Sequence, residues 1–199
     1  VYTLAEDVTI SGTLRVTGEA TVDLNGHILR YDETADPDSI FRVTSGSTLT
    51  LTDSAPTASH SDASLPAGGL ITGGRGYRYD GGAGLTYYYY GGGVYVEAGA
   101  SFELAGGTIY DCGVRSGAAY AYGGGIYCTG GSVTIRGGAI RSCALTADYN
   151  VNGGGVYLGR GINDSSYPSL TMTGGVIADC SAKSGGGICA CLLYTSPSP

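Results

Sequence analysis

A triple glycine followed by an aliphatic residue recurs four times in this chain, and its spacing restricts the fold more than any other feature. Gly91-Gly92-Gly93-Val94-Tyr95-Val96 returns as Gly123-Gly124-Gly125-Ile126-Tyr127-Cys128, then as Gly153-Gly154-Gly155-Val156-Tyr157-Leu158, then as Gly185-Gly186-Gly187-Ile188-Cys189-Ala190, at offsets of 32, 30 and 32 residues. A second motif follows the first three copies. Phe102–Cys112, Val133–Cys143 and Leu170–Cys180 all read apolar-x-apolar-x-Gly-Gly-x-Ile-x-x-Cys. A repeat of about 20–50 residues signals units that each bury their apolar face only against the next unit.

Within each unit the apolar residues alternate. Val94 and Val96 fall on one side and Tyr95 on the other; Phe102 and Leu104 fall on one side and Glu103 on the other. Period-two alternation is the pattern of a strand with one buried face. Gly pairs between the strands permit the positive φ that a sharp corner requires. Weaker copies precede the clear ones: Ile40-Phe41-Arg42-Val43 in place of the triple-glycine strand, Thr48–Leu51 and Gly68–Ile71 for the second motif with an insertion between them, and Val22–Ile28 for strand, turn, strand. The reading is an all-β, right-handed parallel β-helix of five to six coils with three short strands per coil. A β-propeller is the main competitor, but its blades need about 40 residues and four strands.

Composition agrees. Glycine supplies 37 of 199 residues, against a usual share of about 7%, without the every-third-residue period of collagen. Apolar residues reach 42% and charged residues 14%, the reverse of a disordered chain. A net charge of −7 with ten scattered basic residues excludes a nucleic-acid partner. No apolar run is long enough to cross a membrane as a helix.

The Gly-Gly-Gly-Val-Tyr and Gly-Gly-Thr-Ile punctuation, the Val22–His27 segment and the Thr48–Asp53 segment resemble the right-handed β-helix repeats of large bacterial surface proteins. These belong to the pectin-lyase-like superfamily and include polymorphic outer-membrane adhesins and autotransporter passengers. The likeness covers roughly residues 5–190. It implies a secreted or cell-surface location and an adhesin-like role, with polysaccharide or a host or cell-surface protein as partner. One departure is that such repeats carry Asn after the Gly-Gly-Thr-Ile strand, where this chain has Cys112, Cys143 and Cys180.

The repeat domain is expected to span 1–190 as a fragment truncated at both ends, since Val1 opens inside a patterned segment. Residues 191–199 break the repeat and resemble translated adapter read-through, so they are expected to lie outside the fold.

Candidate sites follow from the corner after each Cys. Segments 74–90, 113–122, 144–152 and 181–184 are expected as loops stacked along one edge. They carry Tyr87, Tyr88, Tyr89, Tyr90, Tyr120 and Tyr122, with Tyr77, Tyr79 and Tyr149; the outward ladder Tyr95, Tyr127, Tyr157 follows directly. Tyrosine combines an apolar ring with a polar tip and suits sugar or protein contacts; stacked rings also serve simply to cover a sheet. Cys112, Cys143 and Cys180 are expected as a buried column of thiols, with a disulfide between neighbours as the alternative.

No cofactor or metal is expected. Gly73–Tyr77 starts like a calcium nonapeptide, but Arg78 stands where the ligand Asp belongs. Asp111 and Asp179 share a corner two coils apart with Ser142 between them, near Arg136 and Arg141, and His27 and His60 are isolated. Thr48-Leu49-Thr50 and Thr171-Met172-Thr173 are separated by coils that break the threonine array of an ice-binding face. Asn163-Asp164-Ser165 matches a glycosylation acceptor. The function this supports is a non-catalytic binding module or stalk. The alternatives are a polysaccharide lyase or glycoside hydrolase whose catalytic coils are absent or unrecognised, and an inert spacer.

Overall fold

The structure is a computed structural model that describes residues 1–80, 87–114, 120–160 and 166–191. Asn163–Ser165 lies outside the described residues, as do residues 192–199. Six coils are described. Coil 1 holds β1 (Tyr2–Thr3), β2 (Val8–Ile10) and β3 (Leu14–Val16); coil 2 holds β4 (Glu19–Asp23), β5 (Ile28–Tyr31) and β6 (Phe41–Val43). Coil 3 holds β7 (Thr48–Thr52), β8 (Leu70–Thr72), β9 (Tyr77–Asp80), β10 (Tyr87–Tyr90) and β11 (Val94–Val96). Coil 4 holds β12 (Ser101–Leu104), β13 (Thr108–Tyr110), β14 (Tyr120–Tyr122) and β15 (Ile126–Thr129). Coil 5 holds β16 (Ser132–Ile135), β17 (Ala139–Arg141), β18 (Val151–Asn152) and β19 (Val156–Gly159); coil 6 holds β20 (Ser169–Met172), β21 (Val176–Ala178) and β22 (Ile188–Cys191). Cys191 thus completes the last strand, one residue beyond the boundary expected from sequence.

Three six-stranded parallel sheets result. Sheet A stacks the first strand of every coil, sheet B the second and sheet C the last. The register matches the repeat: Phe102 pairs with Leu49 and Val133, Ile109 with Ile71 and Ile140, and Val94 with Phe41 and Ile126. These columns fill the interior. Leu49, Leu51, Leu104, Ile109, Ile126 and Ile140 have no exposed surface, and each such side chain contributes about 1.5–3 kcal/mol of burial.

The structure adds a fourth sheet where sequence suggested loops. Between sheets B and C, β10, β14 and β18 pair in parallel and β9 adds antiparallel to β10. This sheet D spans only coils 3 to 5. Isolated bridges Ala144↔Ser181 and Asn152↔Ser184 extend the pairing toward coil 6.

The three glycines of each triplet have distinct roles. The first takes positive φ: 59° at Gly91, 67° at Gly123, 70° at Gly153 and 59° at Gly185. In coils 3 to 5 it turns the chain from sheet D into sheet C. The second lies against the next coil's backbone; a Cβ on Gly124 would meet the Gly154 carbonyl oxygen at 2.3 Å. The third leaves room for a neighbouring thiol. A Cβ on Gly93, Gly125 or Gly155 would come within 3.6, 3.3 and 3.4 Å of the sulfur of Cys112, Cys143 and Cys180 on the following coil. The two motifs of the repeat are therefore one packing device.

The corner before each Cys is turned by a left-handed non-glycine residue: Asp111 at φ 48°, Ser142 at 54° and Asp179 at 57°. Asp tolerates this region better than most residues. Backbone geometry thus accounts for the shared position of Asp111 and Asp179. The insertion after β7 is pinned by the Asp53 carboxylate, which accepts hydrogen bonds from the backbone N–H of Gly26 (2.7 Å), Ala55 (3.2 Å) and Gly69 (2.7 Å).

Candidate functional site

Sheet D lies beside the outer face of sheet C, and strand alternation sorts its tyrosines between two faces. Tyr89 is turned inward, 8% exposed, in a small core with Val114, Ala121, Leu145 and Val151. Tyr87 packs against the same core, with the Arg78 guanidinium 5.3 Å from its ring centre. Tyr88, Tyr90, Tyr120 and Tyr122 lie on the opposite face, where they meet the ladder from sheet C. The candidate tyrosines therefore do not form one surface.

The rings facing sheet C form two rows. The inner row interlocks with that sheet. Tyr90 lies 4.7 Å from Tyr127 and 5.9 Å from Tyr122; Tyr122 lies 4.9 Å from Tyr157; Tyr127 lies 5.1 Å from Tyr95 and stacks on Tyr157 at 5.5 Å with a 2° interplanar angle. Tyr127 is only 9% exposed. Burial raises the phenol pKa of Tyr90, Tyr122, Tyr127 and Tyr157 above the ordinary value. This row acts as a second core.

The outer row runs along the solenoid axis. Tyr79 lies 6.3 Å from Tyr88, Tyr88 stacks on Tyr120 at 4.7 Å and 10°, and Tyr120 stacks on Tyr149 at 5.8 Å. Its two end members are the open ones: Tyr79 is 52% exposed and Tyr149 68%. One end of the inner row is closed by Arg42. Its guanidinium lies 4.6 Å from the centre of Tyr77 and 5.0 Å from that of Tyr95, and its Nε donates to Glu97 Oε1 at 2.6 Å. The cation is neutralised in place and orders the rings.

The cysteine column is buried at two of its three members. Cys112 and Cys143 are 1% and 0% exposed and Cys180 is half-buried, and all three are free thiols. Each S–H is within reach of two carbonyls, one a coil back (Ile71 at 3.9 Å, Ile109 at 3.7 Å, Ile140 at 3.7 Å) and a closer one two residues earlier (Tyr110 at 3.4 Å, Arg141 at 3.4 Å, Ala178 at 3.3 Å).

Sequence reasoning missed one grouping. His27 and His60, isolated in sequence, line the same opening of about 520 Å³ at the corner between sheets A and B, with Asp7 and Ser59. His27 Nδ1 lies 3.5 Å from Asp7 Oδ1, and His60 Nε2 lies 2.7 Å from the Gly68 carbonyl oxygen. The insertion folding back over coil 2 brings them together, and no residue pattern records that. Among the described residues no group of three or more His, Cys, Asp or Glu side chains is placed to hold a metal ion. On sheet A, Thr48 and Thr50 align with Ser101 and Glu103, Ser132 and Thr134, Ser169 and Thr171. A hydroxyl array is therefore present, but Glu103 interrupts it, paired with Arg136 Nε at 2.9 Å.

Comparison with protein-family models, curated proteins and solved structures finds no match to this chain.

Proposed function

We propose that this chain is a non-catalytic, adhesin-like binding module of an extracellular or cell-surface protein, and that its outer tyrosine row takes an extended neutral polysaccharide. The observation that carries the reading is the row Tyr79–Tyr88–Tyr120–Tyr149, stepped at 6.3, 4.7 and 5.8 Å along the axis and open at both ends. A chain of sugars laid along the axis meets the edge and hydroxyl of one stacked ring after another. Neutral glycans are favoured over acidic ones because Arg42, the cation that closes the inner row, is already committed to Glu97, and the chain carries a net charge of −7.

The test is to incubate the protein with neutral and acidic polysaccharides, following retention and chain cleavage together. Retention of a neutral polymer without cleavage is expected. Tyr88→Ala and Tyr120→Ala should each cost about 1 kcal/mol, roughly a fivefold loss of affinity, while Tyr127→Phe in the inner row leaves retention unchanged. Cleavage would overturn the reading and direct attention to the opening that holds His27 and His60. Neither retention nor cleavage would leave a spacer or a protein ligand.

A further inference from the structure

The cysteine column does more than fill space. Cys112, Cys143 and Cys180 occupy the same corner of coils 4, 5 and 6. Their backbones are in parallel pairing there: the Ala144 N–H donates to the Cys112 carbonyl at 3.1 Å and the Ser181 N–H to the Cys143 carbonyl at 2.9 Å. Neighbouring strands in such a sheet are about 4.8 Å apart, inside the Cα separation of about 4.4–6.8 Å that a disulfide spans. The three side chains point the same way, each over the third glycine of the preceding coil. Cys143 stands between Cys112 and Cys180 in the column, its S–H within reach of the Ile109 and Arg141 carbonyls at 3.7 and 3.4 Å.

The members of the column differ in access. Cys112 and Cys143 are closed off, and Cys180 is half-buried. We infer that Cys180 and Cys143 form a redox-responsive pair, in which Cys180 meets a peroxide and Cys143 resolves the product as a disulfide that ties coil 5 to coil 6. The environment of the two sulfurs sets their roles. The neighbouring Cys143 side chain holds Cys180 below the ordinary thiol range, and Cys180 is the more accessible sulfur, so Cys180 supplies the thiolate. Burial pushes Cys143 well above that range, so it stays protonated until a sulfenic acid forms beside it.

The chemistry balances with hydrogen peroxide as the two-electron oxidant. The Cys180 thiolate attacks one peroxide oxygen; an S–O bond forms, the O–O bond breaks and hydroxide leaves. Cys143 sulfur then attacks the Cys180 sulfenic sulfur. The S–S bond forms as the S–O bond breaks, and the departing hydroxide takes the Cys143 proton as water. Cys112 is left as a thiol. A dithiol reductant reverses the step by exchange.

The test uses the 199-residue chain carrying Cys189→Ser and Cys191→Ser, which removes the two thiols outside the core. The protein is treated with hydrogen peroxide, alkylated and mapped by mass spectrometry. The expected product is a peptide pair joined through Cys143 and Cys180, two hydrogens lighter than the reduced pair, with Cys112 and Cys128 alkylated only after unfolding. Dithiothreitol should restore both thiols. The oxidised protein should melt higher by on the order of 10 °C, since the bond closes a loop of intermediate length. Adding Cys180→Ser should abolish the link and Cys112→Ser should preserve it. A Cys112–Cys143 link in the parent, oxidation of Cys180 to sulfinic acid with Cys143 still free, or four unmodified thiols would each overturn the inference; these outcomes need no variant within the column.

Discussion

At the scale of single residues, the third glycine of each triplet is where the two motifs of the repeat meet. At Gly125 an added Cβ would sit 2.7 Å from the Gly155 carbonyl oxygen, 2.7 Å from Ile140 Cγ2 and 3.3 Å from the Cys143 sulfur. The first of these is backbone, so a side chain fits only if two coils move apart. Gly125→Ala is therefore expected to cost roughly 1–3 kcal/mol, as overpacking of a full core does. Gly12 is the control: a Cβ added there would meet nothing within 4 Å, and its φ is not positive, so Gly12→Ala should fall within about 0.5 kcal/mol of the parent. Urea denaturation of both variants decides it, and equal losses would show that the glycine-thiol fit is not what holds the coils. The sequence made this constraint half-visible. The triplet and the Cys were legible as separate motifs, but their fit lies between coils 4 and 5, a relation that appears only once the coils are stacked.

At the scale of the strand, sheets A, B and C were legible because their aliphatic and polar residues alternate, and alternation survives in strands of three or four residues. Sheet D was not. Tyr87–Tyr90 is a run of one residue type, so its period of two leaves no trace in the sequence, although Tyr89 is buried among Val114, Ala121 and Val151 while Tyr88 and Tyr90 face the other way. Its partners are as short as Val151–Asn152, too short to show a pattern. The candidate site was legible as a tyrosine-rich edge and not as two rows, since depth relative to sheet C decides the difference. The buried row has a consequence in alkali. Burial raises the Tyr127, Tyr90 and Tyr157 phenols above their ordinary value of 10.0, and neighbouring phenols push them the same way. The folded state then holds these protons more tightly than the unfolded chain. Their contribution to stability is complete below pH 10 and is lost as pH rises beyond it toward the folded values. The urea midpoint should fall between pH 9 and about pH 11, with phenolate absorbance appearing in step with unfolding. Tyr127→Phe should shallow that fall, and an unchanged slope in this variant would place the alkaline transition elsewhere.

At the scale of the whole molecule, each coil is covered by its neighbours, so the first and sixth coils carry what the inner ones hide. In coil 6, Met172 is 43% and Ile188 42% exposed, whereas their register partners Ile135 and Val156 in coil 5 have no exposed surface. In coil 1, Leu4, Val8, Ile10 and Leu14 line an apolar mouth of about 450 Å³ that reaches down to Phe41. The outer edges of β1, β2 and β3 at one end, and of β20, β21 and β22 at the other, have no further strand of sheets A, B or C paired to them among the described residues. Parallel edges of this kind accept another strand of the same register, and here the apolar columns of one copy continue those of the next. The net charge of −7 opposes such stacking, and salt screens that repulsion over about 10 Å at 0.1 M. The 199-residue chain should therefore sediment as a species whose mass grows with protein concentration, and more steeply in 0.5 M than in 0.05 M salt (about 4 against 14 Å of screening length). Met172→Lys with Ile188→Lys places charge on the face of coil 6 without entering the cores of coils 2 to 5, and should return the protein to a monomer with the same melting behaviour. A parent that stays monomeric at every concentration and salt would mean that the end coils are covered from within the chain; association that persists in the double lysine variant would move the contact to the tyrosine rows.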